Sequence, residues 1–312
     1  MNIKEIKAEY KNGILTKPEF ADKMHEFHGV LFEFSENLAG TEIEKIEIEE
    51  GNVIFVTRQT PFHPGGVKFY LDIADKRITP LEAFNFDQYE QEDSEMLYSL
   101  VTDGDTIFDI GANIGWYSNH LAKKLPNSTI YCFEPIPGTF AQLKNNTGLN
   151  QSENIVLNNF AFSDSVKTLS FYYSPALTGA SSSVNITENE SMTLLECPAD
   201  TLDNFVAKNN IPKLDFIKCD VEGAEFFVYK GAAATIEKYK PIVFSEMLRK
   251  WAAKFGYHPN DIIAFFRQFG YNVYTSHGGK LVLFDTVTPD TMETNYFFLH
   301  PEKHADKIKS LS

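Results

Sequence analysis

A short apolar run that ends in two glycines constrains this chain more than any other feature. The run Thr106–Ile110 leads into Gly111-Ala-Asn-Ile-Gly115, and a helical pattern extends from Ile114 to about Lys124. Because glycine has no Cβ, the backbone of such a turn can approach a bound ligand closely. The first N–H groups of the following helix also point at that ligand. The sequence therefore predicts a strand, a turn and a helix that bind a nucleoside-type cofactor.

The alternation of strand-like and helical runs after residue 85 predicts the fold class. It indicates an α/β domain of the Rossmann-like type, with a mostly parallel sheet and helices on both faces. Ligands of such sheets bind beyond the carboxyl ends of the strands. Helices are expected near 88–101, 114–124, 137–147 and 259–269, after residue 203 and from about 224. Strands are expected near 106–110, 129–133, 155–157, 214–219, 241–245, 271–275 and 295–299, with a hairpin at 168–173 and 193–197.

Residues 1–85 follow a different pattern, which predicts a small α+β appendage to a main domain of residues 86–312. Helical periodicity covers 3–38 and is broken at Lys11-Asn-Gly13, with Thr16 as a cap and Pro18 in the next turn. Three short antiparallel strands between residues 43 and 71 follow. The second helix carries an apolar stripe of Phe20, Met24, Phe27 and Leu31. We expect burial of this stripe within the chain; a homodimer through the N-terminal helices is the alternative.

Composition and charge exclude several classes of partner. The net charge is −15, the pI is near 5.0, and no cluster of Lys and Arg stands out. Nucleic acid and anionic membrane, which are bound through basic surfaces, are therefore not expected as partners. Three cysteines without CxxC spacing, Cys132, Cys197 and Cys219, indicate buried thiols in a reducing compartment. With no signal-peptide pattern and no apolar run near ~20 residues, a cytoplasmic location is expected.

The spacing of glycines and acids indicates which cofactor the turn binds. A dinucleotide fingerprint would read G-x-G-x-x-G, but the third glycine is missing here. Glu134 ends the second strand, where a carboxylate can accept both hydroxyls of an unphosphorylated ribose. Asp109, at the tip of the first strand, can meet a positively charged amino or sulfonium group. These features describe S-adenosylmethionine (SAM). Alternatively, Gly111 and Gly115 only pack the helix on the strand, and Glu134 is a solvated strand end.

Acidic residues follow the fourth and fifth strands of the predicted sheet. Asp220, Glu222 and Glu246 are the candidates for a catalytic base, because crowding would raise the pKa of one of them. Asp220 and Glu222 could instead cap the next helix. Together the three acids could also bind Mg²⁺, which is the less favoured alternative to a site without metal. Glu225 is expected to face solvent, and His277 to be an exposed turn residue rather than a base.

A pocket for a second substrate would be built from loops and aromatic side chains. The segment 174–191 is rich in Ser, Thr, Asn and Gly, and it is longer than an ordinary connection. It is expected to be either a mobile lid or a disordered excursion. Five aromatic residues could wall the pocket, although each could equally belong to the core: Trp116, Tyr117, Tyr172, Tyr173 and Trp251.

Several separated motifs resemble the FkbM family of SAM-dependent methyltransferases. They are the segment 108–118 (FDIGANIGWYS), Phe133-Glu-Pro135, Thr201-Leu-Asp203 and the segment 215–225 (DFIKCDVEGAE). The resemblance covers about residues 88–275 and leaves most of 1–85 outside it. It implies a class I methyltransferase fold. It also implies O-methylation of a hydroxyl on a sugar, polyketide or related natural product.

The resemblance also implies roles for individual residues. Glu134 would hold the ribose, with Pro135 or Ile136 against the adenine. Apart from the resemblance, the position of Asp220 just past the fourth strand makes it a candidate for both cofactor binding and catalysis. Asp109, Gly111, Ala112, Asn113 and Gly115 would surround the methionine part of SAM, and Ala161, Phe162 and Asp164 would lie at the adenine edge.

These observations predict a SAM-dependent O-methyltransferase acting on a small molecule or glycan. N-methylation on the same scaffold is the first alternative, and a non-catalytic SAM-binding or scaffold protein is the second. An NAD-dependent dehydrogenase is disfavoured because the third glycine is absent.

Overall fold

The computed structural model describes residues 2–173 and 193–312, and the predicted loop 174–191 lies outside these ranges. Its strands are β1 Ile43–Glu49, β2 Asn52–Thr57, β3 Lys68–Tyr70, β4 Thr106–Ile110, β5 Thr129–Phe133, β6 Ile155–Asn158, β7 Ala161–Phe162, β8 Lys167–Tyr173, β9 Thr193–Asp200, β10 Phe216–Cys219, β11 Ile242–Glu246, β12 Asn272–His277, β13 Lys280–Phe284 and β14 Asn295–Leu299. Its helices are α1 Ile3–Lys11, α2 Lys17–Asn37, α3 Thr79–Asn85, α4 Gln91–Leu100, α5 Trp116–Lys124, α6 Pro137–Asn150, α7 Leu202–Lys208, α8 Glu225–Lys230, α9 Ala233–Tyr239, α10 Arg249–Lys254, α11 Pro259–Gln268 and α12 Ala305–Leu311.

An eight-stranded sheet forms the centre, in the order β13-β12-β14-β11-β10-β4-β5-β6. Strands β4, β5, β6, β10 and β11 are parallel, whereas β14 runs antiparallel to both β11 and β12. The strand order reverses at β4, which has β5 on one side and β10 on the other. Such a switch point leaves a crevice at the carboxyl ends of the strands. The predicted mostly parallel α/β sheet with helices on both faces is confirmed.

Two apolar clusters cover the two faces of this sheet. One includes side chains of α4 and α5, and the other includes side chains of α7, α8, α9 and α11. The first cluster continues into the appendage, since Phe55 and Phe69 belong to it together with Trp116 and Leu121. Strands β1, β2 and β3 form their own antiparallel sheet, as the sequence predicts. The appendage strands thus pack directly on the helix that follows the glycine turn.

The apolar stripe of α2 is only half-buried at Phe20, Met24 and Phe27 and exposed at Leu31, so the expected burial within the chain is incomplete. None of the residues of α2 is buried, and Leu31 is 59% exposed. The stripe is not fully covered because α1, the helix that packs on α2, has 9 residues and is too short to cover the 21 residues of α2. Contacts between the two helices, such as the stacked rings of Tyr10 and Phe20, lie near the N-terminal end of α2. Farther along, Phe34 stacks on Phe84.

The three cysteines are free and buried, in agreement with the prediction of unpaired core thiols. Across residues 2–173 and 193–312, no helix combines the length and the apolar composition needed to cross a lipid bilayer. Helices α3, α10 and α12 and strands β7 and β13 were not anticipated, because they are short and only weakly patterned.

Candidate active site

A cavity of about 680 Å³ opens beyond the carboxyl ends of β4, β5, β10 and β11. Most of the residues that the sequence nominates for cofactor binding and chemistry line it. They are Gly111, Asn113, Glu134, Pro135, Ile136, Ala161, Phe162, Asp220, Glu222 and Glu246. Asp109, Ala112 and Gly115 are not among the lining residues and lie behind this wall. The structure therefore gathers two groups of candidates, separated by about a hundred residues of sequence, at one edge of the sheet.

The glycine turn is fixed between the ends of two neighbouring strands. Gly111 has a φ of +78°, and a Cβ at this position would lie 1.8 Å from the backbone oxygen of Asp220. The N–H groups of Gly111 and Ala112 both donate to the carbonyl of Phe133 at 3.0 Å. Gly115, with a φ of +86°, is the N-cap of α5. Gly111 thus permits an approach of β4 to the end of β10 that a residue with a side chain would block.

Glu134 is held between the glycine turn and the turn after β5. One carboxylate oxygen accepts a hydrogen bond from the backbone N–H of Asn113 at 3.1 Å, and the other accepts from Ile136 at 2.9 Å. Burial raises the pKa of this carboxyl to about 7, although the two hydrogen bonds oppose the shift. Each carboxylate oxygen can accept a further hydrogen bond. A ligand with two neighbouring hydroxyls would therefore find two fixed acceptors here.

An apolar slot adjoins Glu134. The rings of Phe160 and Phe162 meet edge to face with centroids 5.3 Å apart, and Phe133 lies 4.4 Å from Phe162. All three line the cavity, and a flat heteroaromatic ring packs well against such side chains. Asp164, considered for an amino group at this edge, pairs instead with Lys167 at 2.6 Å and does not line the cavity.

Asp109 lies beneath the cavity and contacts a buried lysine that was not predicted from the sequence. Its side chain is 1% exposed, and Lys218 Nζ lies 3.6 Å from one of its oxygens and 3.4 Å from Asp220. Nζ also donates to the backbone oxygen of Gly111 at 3.1 Å. Burial alone would lower the pKa of Lys218, but Asp220, Asp109 and Glu90 together raise it. The signal was visible as a lysine within the otherwise apolar run of β10.

Four carboxylates that interact electrostatically with one another line the cavity. Asp220, Glu222 and Glu246 were anticipated, whereas Glu90, just before α4, was not. Burial, and then the charge of Asp220, raise the pKa of Glu90 to about 7, although Tyr117 donates a hydrogen bond to it at 2.7 Å. The same two causes raise the pKa values of Glu222 and Glu246 well above the ordinary range. The cavity thus concentrates negative charge that favours either protons or a cationic ligand.

Glu225 is buried, so the expectation that it faces solvent was wrong. It is 2% exposed, and one oxygen accepts from the backbone N–H groups of Val221 and Gly223. Tyr257 donates to its other oxygen at 3.1 Å. Burial raises the pKa of Glu225 to about 7. The residue turns inward because it closes the sharp turn in which Glu222 takes a φ of +57°, so it positions the acids rather than belonging to the surface.

The remaining candidates fall mostly outside the cavity. His277 is exposed at the end of β12, as expected for a turn residue. Of the five aromatic residues considered for the pocket, only Trp251 lines it. Trp116 and Tyr117 are buried in the core, where the ring of Trp116 stacks on Phe69. Tyr172 and Tyr173 lie on β8, outside the cavity wall.

The carboxylates do not form a preformed metal cage. Within the described residues, Asp220, Glu222 and Glu246 do not bring one oxygen each to within 4.8 Å of one another. A hard cation such as Mg²⁺ would need closer convergence or several waters.

Comparisons with known proteins identify methyltransferases as the relatives of this chain. A family model, the methyltransferase FkbM domain, matches residues 109–273, which is 165 of the 312 residues. The hexuronic acid methyltransferase AglP of Haloferax volcanii is 29% identical over 154 residues, 49% of this chain and 61% of that protein. Methyltransferase 1 of Beauveria bassiana is 27% identical over 146 residues, 41% of this chain and 59% of that protein. The chain thus matches about 60% of the length of these curated relatives.

A crystal structure of the methyltransferase FkbM from Methylobacillus flagellatus is also similar. It has 17% sequence identity and a TM-score of 0.42, and the match covers 73% of this chain and 55% of that chain. The match of the family model over more than half of the chain, together with the sheet topology, decides the classification. The chain belongs to the FkbM methyltransferase family and has a class I methyltransferase fold.

Proposed function

We propose that this chain is a SAM-dependent methyltransferase that methylates a hydroxyl oxygen of a sugar or a related small molecule. The observation that carries the proposal is the cavity into which the glycine turn, Glu134 and four carboxylates converge. SAM, when bound, supplies an electrophilic methyl group on a positively charged sulfur. The family match supports methyl transfer.

The cavity has a fitting group for each part of SAM. Glu134 offers two acceptors for the ribose hydroxyls, and the slot of Phe160 and Phe162 suits the adenine. The glycine turn supplies close backbone approach for the methionine part. The charge of the cavity favours SAM over NAD. The cationic sulfur of SAM would lower the mutual repulsion of the carboxylates, whereas the anionic pyrophosphate of NAD would be repelled by them. These carboxylates are Glu90, Asp220, Glu222 and Glu246.

We assign the role of base to Glu246. It ends β11, beside the end of β10 that leads into Asp220, and it lines the cavity. An alcohol is a poor nucleophile at neutral pH, and a positioned base typically contributes ~10²–10⁴-fold. The raised pKa of Glu246, caused by burial and then by Asp220 and Glu222, brings it closer to a value suited to taking a hydroxyl proton. Asp220 and Glu222 raise the pKa of Glu246, and the positive charge of Lys218 offsets part of the negative charge of Asp220.

An acidic sugar fits the outer part of the cavity. Arg77, Lys250 and Lys254 line its exposed side, and Trp251 offers an apolar face on which a sugar ring can pack. One relative is named for its action on hexuronic acid. A sugar carboxylate near the basic rim would leave a ring hydroxyl to face the carboxylates deeper in the cavity.

Incubation with SAM and a panel of oligosaccharides, with and without uronic acids, tests the proposal. Mass spectrometry should find the mass of one added methyl group, and the O-methyl position should follow from fragmentation. Glu246→Gln should lower turnover ~10²-fold or more while SAM still binds, whereas the exposed Glu33→Gln is the matched control and should leave turnover unchanged. Methylation of amines only, insensitive to Glu246→Gln, would favour the N-methyltransferase. SAM binding without any transfer would favour a scaffold role.

A further inference from the structure

Three potential metal ligands gather where the appendage meets the main domain, away from the cofactor cavity. Glu42 precedes β1, His63 follows β2, and His120 lies on α5. One ligand atom from each lies within 4.8 Å of the other two. We propose that these three residues bind a divalent transition-metal ion of the zinc type, which cross-links the appendage to the main domain.

On both histidines the nitrogen that faces the cluster is Nε2, which lies 3.2 Å from the Thr57 hydroxyl in His120 and 3.1 Å from Glu42 in His63, so a metal would replace these two contacts. Nδ1 of His120 lies 2.8 Å from the carbonyl of Trp116, and Nδ1 of His63 lies 3.3 Å from the carbonyl of Pro64. A carbonyl requires an N–H, so the proton of each neutral ring belongs on Nδ1 and the lone pair on Nε2. Metal-binding histidines are commonly oriented in this way by a backbone carbonyl behind the ring.

The contact between His63 and Glu42 also favours a cation. Nε2 of His63 lies 3.1 Å from one oxygen of Glu42, while the other oxygen accepts from the N–H of Tyr89 at 3.1 Å. With its proton on Nδ1, a neutral His63 would direct a lone pair at a carboxylate oxygen. A metal ion shared by the two atoms removes this conflict. The competing arrangement is a protonated His63 that forms an ion pair with Glu42.

Burial and an unpaired hydroxyl add independent support. His63 is 6% exposed and His120 is fully buried. The ring of Tyr98 lies 5.2 Å from that of His63, and within the described residues its buried hydroxyl has no hydrogen-bond partner. A buried hydroxyl without a partner is destabilising unless a ligand or water satisfies it.

Access and coordination chemistry fit a metal ion. A second cavity of about 320 Å³, lined by Glu42, His63 and Tyr98 among others, gives solvent a route to the cluster. Two histidines and one carboxylate are a ligand set that zinc accepts, with water in the fourth position. Ligands of a tetrahedral ion lie roughly 3.4 Å apart at bond lengths of about 2.05 Å. The cluster would therefore contract by no more than roughly 1.4 Å on binding.

Zinc titration of the full chain tests the proposal. The protein is stripped with EDTA, dialysed and titrated with ZnCl₂ by calorimetry, and bound metal is counted by elemental analysis. We expect one ion per chain and a Tm higher by about 5 °C at a hundredfold excess over Kd. Glu42→Gln and His63→Gln should each weaken binding by ~100-fold or more. The matched control is His25→Gln with His28→Gln, two exposed histidines on α2, which should leave binding unchanged.

Cobalt substitution gives a second readout that does not depend on stability. Co²⁺ in this site should show the visible absorption of a tetrahedral complex, and Glu42→Gln, which keeps the side-chain shape, should abolish it. Zinc binding that survives both Glu42→Gln and His63→Gln would overturn the proposal. The absence of stoichiometric binding in the wild type would equally overturn it and leave the ion pair of Glu42 and His63 as the role of the cluster.

Discussion

Replacing Gly111 by alanine is expected to destabilise the protein and to displace Asp220. The variant has two costs, which the structure separates. A left-handed φ of +78° costs a residue with a side chain about 1–2 kcal/mol. The new Cβ would also lie 1.8 Å from the backbone oxygen of Asp220, and relieving such an overlap typically costs about 1–3 kcal/mol more. The sum is a loss of about 2–5 kcal/mol in the free energy of unfolding.

Gly279→Ala is the matched control, because Gly279 has a φ of +73° and a Cβ added there would have no atom within 4 Å of it. This variant should lower the free energy of unfolding only by the backbone cost of about 1–2 kcal/mol. Urea unfolding followed by circular dichroism measures both variants. SAM binding, measured by calorimetry, should weaken in Gly111→Ala and remain in Gly279→Ala. Equal destabilisation by the two variants, with SAM binding intact in both, would refute the claim that Gly111 exists for the close approach of β4 and β10.

Two further predictions concern the buried charges. Lys218→Met should lower the free energy of unfolding by about 3–5 kcal/mol, because Asp109 loses its buried lysine partner. Adding Asp109→Asn should restore part of the lost stability in a double-mutant cycle. Fully additive effects of the two substitutions would contradict the pairing. Glu225 has a folded pKa raised to about 7, so the folded state binds the extra proton and stability falls as pH rises from about 4.5 to about 7. Glu225→Gln should remove this contribution, and its unfolding free energy relative to wild type should rise by on the order of 2–3 kcal/mol between pH 5 and pH 8. A relative stability that does not change with pH would place Glu225 outside the buried network.

Sequence periodicity was sufficient for seven of the eight strands of the central sheet, all but the edge strand β13, because each of them is a local pattern. β4 and β5 have the predicted bounds, and the close backbone turn lies at Gly111 and Gly115, as the two glycines predicted. Local pattern also predicted that Glu134 would stand at the end of β5. These features depend on residues within a few positions of one another, which a single sequence displays.

The features that were not predicted from the sequence depend on tertiary contacts. Glu225 carries a charge on a helix, which ordinarily indicates solvent, yet the N–H groups of a strained turn and the hydroxyl of Tyr257 hold it inside. Glu90 lies in a connection with no chemical signature, and only the packing of α4 brings it into the cavity. The stripe of α2 has the periodicity of a buried face but no partner of sufficient length within the described chain. In each case the decisive neighbour is distant in sequence.

Calorimetric titration with SAM, S-adenosylhomocysteine and NAD shows whether the acid-lined cavity binds the methyl donor. We expect one molecule of SAM, or of S-adenosylhomocysteine, per chain and no binding of NAD. Glu134→Ala, which removes both acceptors for the ribose, should weaken SAM binding by ~10-fold or more, with Glu33→Gln unchanged. Binding of NAD alone, or SAM binding that is insensitive to Glu134→Ala, would contradict the account.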